Sequence, residues 1–169
     1  MSISRGNQLA QDIRLKAAAL KQVYNGVDEG LASRAPADRW TPKQILSHLN
    51  GPGDAGFLPM LKAFVEGDIP MMNLEIGDPF YTVARARMSF GELVAMCEEN
   101  YEGVAEFAAG LTDEQLARTA HIPELKDSPL GEYPTLEGMI GGLGDYHLQF
   151  HIDHLREVLA ALSSSDIAA

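Results

Sequence analysis

Apolar side chains recur about every 3.6 residues in four separate segments, and nowhere is the alternation of a β-strand sustained. A chain patterned in this way must bury four helical stripes against one another. The expected architecture is therefore an all-α four-helix bundle. The first stripe covers roughly residues 6–27 through Leu9, Ile13, Ala17, Leu20, Tyr24 and Val27, and Asn25-Gly26 helps to end it.

The second helix opens at Thr41-Pro42-Lys43-Gln44, where Thr41 suits the N-cap, Pro42 the first helical position and Gln44 a capping box. Ile45, Leu46, His48 and Leu49 follow, and Gly51-Pro52-Gly53 then kinks or breaks the helix. A helical continuation is expected through Phe57, Leu61, Phe64 and Val65. Residues 67–88 are rich in Pro, Gly, Met and Asp and read as one long crossover connection. The third helix starts at Ser89, with Glu92 completing a second capping box, and runs to Gly110. Thr112 with Gln115 opens a short extra helix to about 119, and residues 120–134 read as loop.

The fourth helix is expected from Thr135 to about Leu162. Gly138, Gly141, Gly142 and Gly144 crowd its first half, each lowering helix propensity by up to about 1 kcal/mol relative to Ala. Glycines retained at that cost point to close helix packing or to access to a site. The serines after Leu162 are expected to fray.

A length of 169 residues, 46% hydrophobic and 22% charged, suits a single domain over 1–169 with a core at about 6–162. No apolar run approaches the roughly 20 residues that span a bilayer. The N-terminus has no apolar signal segment, and Cys97 is the only cysteine. The expected location is cytoplasmic. The formal net charge of -11 repels phosphate backbones and anionic membrane surfaces. Nucleic acid and membranes are thus excluded as expected partners, and the expected partner is a small-molecule substrate or ligand.

Four of the five histidines fall in two helices: His48 in the second, and His147, His151 and His154 in the fourth. At about 100° per residue the last three share an arc of about 60°. Leu136, Ile140, Leu143, Val158 and Leu162 project within about 60° of His147, so the imidazoles occupy the core-facing stripe. Rings packed there cannot all be charged, and each needs a polar partner once it leaves water. A shared metal ion meets that need, since neutral imidazole is a ligand for zinc, nickel, copper or iron. The i, i+4 pair His147/His151 can reach one ion, and His48 is the plausible third nitrogen. Three protein nitrogens would leave a position open, as in catalytic sites. A metal-free polar cluster and an accidental grouping are the other two readings.

The segment Trp40-Thr41-Pro42-Lys43-Gln44-Ile45-Leu46-Ser47-His48-Leu49 resembles a signature of the DinB/YfiT-like superfamily. So do Arg87-Met88-Ser89, Leu111-Thr112-Asp113-Glu114-Gln115-Leu116, and Thr135-Leu136-Glu137 at the head of a His-rich last helix. The likeness extends from about 8 to 160. It implies a four-helix bundle with a crossover connection, a homodimer, and a divalent metal, nickel or zinc. In the family one His of the second helix and an i, i+4 pair of the last hold the ion. His48 matches that pattern directly. Aligning on His154-Leu155 makes His154 the last ligand and puts Phe150 at its partner position, whereas aligning on the spacing selects His147 and His151. Asn50 stands where an acidic residue is frequent. Characterised relatives include thiol-dependent transferases and an isomerase.

Other residues carry less chemistry. Cys97 lies on an apolar stripe as a structural thiol, and Trp40 reads as a packing anchor. Met71 and Met72 are expected to cap the bundle, Asp153 and Glu157 to face solvent, and His121 has no assigned role. Three functions are compatible with these residues: a metal-dependent transferase or hydrolase acting on a small molecule, a metal-free small-molecule-binding module, and a dimeric interaction protein.

Overall fold

The computed structural model describes residues 3–167. Nine α-helices follow one another among them: α1 (Arg5–Tyr24), α2 (Glu29–Ala32), α3 (Pro42–Leu49), α4 (Leu58–Glu66), α5 (Val83–Arg87), α6 (Phe90–Ala109), α7 (Asp113–Leu116), α8 (Leu136–Gly142) and α9 (Gln149–Ile167). A π-helical segment, Leu143–Leu148, joins α8 to α9 without a break. No β-strand forms among the described residues, and the expected all-α four-helix bundle is the observed fold. Its four rods are α1, α3, α6 and the composite last helix.

Local chemistry accounts for the helix starts. The Thr41/Gln44, Ser89/Glu92 and Thr112/Gln115 capping boxes all form, each with a side chain accepting from the backbone of its partner. Helix ends depend more on glycine. α1 stops at Tyr24 because Gly26 takes a left-handed conformation, φ +81°, so Val27 lies beyond the helix. α3 stops at Leu49 because Gly51 is also left-handed, φ +69°, with the backbone of Gly56 and Phe57 packed where a Cβ would sit. The expected continuation is thus a separate helix, α4, reached by a full turn. The connection at 67–88 also contains a short helix, α5, capped by Thr82. The serine tail does not fray at Leu162: the helix persists to Ile167, with Asp166 paired to Arg34, while the hydroxyls of Ser163, Ser164 and Ser165 each donate to the carbonyl four residues back.

The core is the shared interior of the four rods, with Ile13, Ile45, Leu46, Leu93, Ile140, Leu148 and Val158 wholly buried. The glycines of the last helix serve close packing. A Cβ on Gly144 would meet Ile13 of α1 at 3.1 Å, and one on Gly138 would meet Leu130 at 3.2 Å. The crossover is tied to the far loop by the N–H of Met72, which donates to the carbonyl of His121, and by that of His121, which donates to Pro70. Met72 packs on the core, but Met71 is exposed and does not cap the bundle.

Candidate metal centre

α3 carries His48 in its last turn, between the wholly buried Leu46 and Leu49. Its Nδ1 lies 2.6 Å from the carbonyl oxygen of Asp78. A carbonyl only accepts, so Nδ1 holds the ring proton and Nε2 presents a lone pair. That Nε2 lies 2.9 Å from Nε2 of His147, across the bundle on the last helix. One turn further, His151 brings its ring to 4.5 Å from His48 and 4.9 Å from His147, centroid to centroid. One nitrogen from each of the three falls within 4.8 Å of the others.

Electrostatics keep these rings neutral. Burial lowers the His48 pKa, partly offset by the Asp78 carbonyl. Burial, then the neighbouring His48, pushes His147 down to about 3. Burial first, and then His147, His48 and His154, lower His151. Three uncharged imidazoles with convergent nitrogens form a donor set that fits a divalent transition metal. Nitrogens at about 2.0–2.1 Å from one ion would stand roughly 3–4 Å apart. The nitrogens of the three rings bracket that range, from 2.9 Å between His48 and His147 to within 4.8 Å overall. His147 has one loose end: its Nδ1 is buried without a hydrogen-bond partner.

His154 lies to one side. Its Nδ1 is 3.4 Å from Nδ1 of His151, a long contact, and its ring is half-buried. It therefore flanks the cluster formed by His48, His147 and His151. The π segment ends at Leu148, one residue after His147, so that ring leaves from a turn widened by one residue. Simple 100° arithmetic does not apply across such a turn.

Aromatic rings surround the imidazoles. Trp40 lies parallel to His151, centroids 6.3 Å apart, and 5.3 Å from His48. Phe80 stacks on His48 at 5.8 Å, and Phe57 meets His147 edge-on at 5.5 Å. Phe150, 56% exposed, meets His151 edge-on and stacks with the more exposed Tyr146. Trp40 is thus an anchor whose packing partners are the site's own rings. Asp78 and Phe80 were not foreseen. Asp78-Pro79 is a turn signal, but nothing in a crossover without periodicity says which way its carbonyl faces.

The remaining residues stand apart from the cluster. Asn50 is fully buried and donates to Leu46 O and Leu93 O while accepting from Asn100, so it ties α3 to α6. Cys97 is buried, and burial pushes its thiol up to about 12. Asp153 and Glu157 are exposed and paired with Arg156 and Arg39. His121 pairs with Glu132 and stacks on Tyr133.

Comparison with known proteins adds the fold by an independent route. A solved structure of YfiT from Bacillus subtilis matches with a TM-score of 0.73 and 22% sequence identity, over 98% of this chain and 90% of that one. It is described as "a probable metal-dependent hydrolase with an unusual four-helix bundle topology". An uncharacterised protein from Clostridium difficile 630 matches with a TM-score of 0.65 and 15% identity, over 93% of this chain and 96% of that one. No family model matches the sequence, and no curated protein does. At these identities the likeness establishes a YfiT-like fold. No described helix is long and apolar enough to cross a membrane.

Proposed function

We propose that this chain is a metal-dependent enzyme acting on a small molecule, with a divalent ion, nickel or zinc, held by His48, His147 and His151. The observation that carries the reading is the convergence of three neutral imidazole nitrogens within 4.8 Å, one of them aimed by a backbone carbonyl. A ligand histidine whose other nitrogen is fixed by an acceptor is the usual arrangement around a metal. Such an ion supplies Lewis acidity, polarising a carbonyl and acidifying water or a thiol. Hydrolysis fits the description of YfiT, and thiol-dependent transfer fits the family that the sequence motifs resemble.

The chain's own groups divide the remaining work. Trp40, Phe57 and Phe80 exclude water from the imidazoles, which strengthens every polar interaction among them. His154, half-exposed and against His151, is placed to steady that ring and to carry a proton between site and solvent. A second reading, a metal-free polar pocket for a small molecule, is favoured by one contact. The 2.9 Å approach of His147 Nε2 to His48 Nε2 is also the length of a direct N–H···N hydrogen bond.

Elemental analysis of protein produced with nickel and zinc present separates the two. A roughly stoichiometric ion is expected, lost in His48→Ala and His151→Ala, whose affinities should drop by at least about 10–100-fold. His147→Ala should lose affinity to the same degree and His154→Ala much less. Collapse in His154→Ala with unchanged affinity in His147→Ala would exchange their roles. A wild-type protein that takes up no zinc or nickel on titration would leave the metal-free pocket.

A further inference from the structure

Arg85, in the short helix α5, is 5% exposed. Its guanidinium forms no salt bridge among the described residues. It donates instead to backbone carbonyls: Nη1 to Ser47 at 2.8 Å and Gly51 at 2.6 Å, and Nη2 to Gly53 at 2.9 Å. Longer contacts of 3.4 Å reach the carbonyl of Phe80 and the hydroxyl of Ser47. Burial lowers its pKa, and the charge of Asp54 opposes that only in part.

A buried cation without a carboxylate is costly, and an apolar side chain of similar size would fill the space more cheaply. What the guanidinium does that Met or Leu could not is hold several oxygens at once in a fixed fork. The close oxygens belong to α3 and the turn that follows it, and Arg85 reaches them from the crossover, where the carbonyl of Phe80 lies at 3.4 Å. Ser47 immediately precedes His48. Phe80 lies two residues after Asp78, whose carbonyl accepts a hydrogen bond from the Nδ1–H of His48.

Phe80 shows what the fork maintains. Its φ of +48° is the left-handed region that a bulky L-residue avoids. Its carbonyl accepts from the Ser47 hydroxyl at 2.9 Å and from the Thr82 N–H at 3.0 Å, with Arg85 beyond. Its own N–H donates to the Asp78 carboxylate at 2.6 Å. A strained residue persists only where its surroundings over-determine it. Here the surroundings place the Phe80 ring flat on one face of His48 and the Asp78 carbonyl at its edge.

We propose that Arg85 is a positioning residue for His48, pinning the crossover to α3 so that Asp78 and Phe80 lock the ring in its Nδ1–H tautomer with Nε2 aimed into the site. The consequence for metal affinity rests on the proposed function above, but the tautomer itself does not.

The test uses the metal-free full-length protein. Long-range 1H–15N spectra of the histidine rings read the tautomer of His48 directly. In the wild type a single Nδ1–H form is expected. In Arg85→Met an exchange-averaged mixture should replace it, and Arg85→Lys, which keeps the charge without the fork, should fall between. Ser47→Ala should move it the same way. Cobalt titration, followed by the fluorescence of Trp40, should then show an affinity about 10–100-fold weaker in Arg85→Met with all three imidazoles intact. A helical, cooperatively melting Arg85→Met that keeps His48 wholly Nδ1–H overturns the proposal. If that variant does not fold, an unchanged tautomer in both Arg85→Lys and Ser47→Ala overturns it equally. Absence of cobalt binding in the wild type would count against the metal centre, while the tautomer shift would still report the clamp.

Discussion

The last helix is flanked by two kinds of packing. On the side of α1, with α6 packed behind it, the interior contacts are apolar and close: Gly144 faces Ile13 of α1, Gly6 of α1 sits under the carbonyl of Ala108 of α6, and no charged or amide side chain of α1 or α6 is buried. On the side of α3 and the crossover, polar groups are sunk into the protein. The buried polar side chains of the described residues are Lys43, Ser47, His48, Asn50, Arg85 and His151, and all but the last belong to this flank. Apolar contact is non-directional and tolerates small errors of position. Hydrogen bonds are directional, and a buried polar group left without its partner is penalised. The first flank therefore supplies stability, and the second spends some of it on aiming three imidazoles.

That division can be broken by experiment. Leu93→Ala on α6, at a wholly buried position, should cost about 2–5 kcal/mol in a denaturant titration and leave metal affinity unchanged. A matching loss of affinity would show the two flanks to be coupled. Gly6→Ala would put a methyl group against the Ala108 carbonyl, and overpacking of that kind costs about 1–3 kcal/mol. Its melting temperature should fall while His48 keeps its tautomer; an unchanged melting temperature would mean that α1 shifts freely.

A smaller effect comes from pH. The folded pKa of His147 lies near 3, below its ordinary 6.5, so the unfolded chain binds more protons across that interval. Stability is thus fully present above about pH 6.5 and declines as pH falls toward the folded value. One such group contributes at most about 1.4 kcal/mol per pH unit. Between pH 7.5 and 5 the metal-free wild type should lose stability faster than His147→Gln, and parallel curves would refute the burial of that ring. The smallest effect expected is at Cys97, whose buried thiol, pushed up to about 12, should react with a thiol reagent only as fast as the protein opens. Rapid labelling of folded protein would show that the apolar flank is loose.

Much of this arrangement is visible in local sequence. Thr41/Gln44, Ser89/Glu92 and Thr112/Gln115 mark helix starts because a capping box involves only residues three apart. The apolar stripes identify the bundle because burial follows the helical period. Helix ends were less visible. Gly51 could have kinked or broken α3, and only its left-handed conformation against Gly56 decides for a break. The helical serine tail was not readable either, because its anchor is the pairing of Asp166 with Arg34, 132 positions away in the chain.

The candidate site shows the same boundary more sharply. His48, His147, His151 and His154 could be singled out from spacing alone, since residues on one helix face must point the same way. Which three converge depends on the direction from which α3 approaches and on the widened turn at Leu143–Leu148. The roles of Asp78, Phe80 and Arg85 at the site could not be read, because each reaches α3 through a partner 30 or more positions away in the chain. By itself the sequence determined four amphipathic helices, their starts, and a set of imidazoles on buried faces, all consequences of interactions within a few residues. Only the tertiary structure decided which nitrogens meet, which proton sits where, and what holds the crossover in place. Those outcomes are distances between segments joined by long connections, and no local pattern encodes a distance.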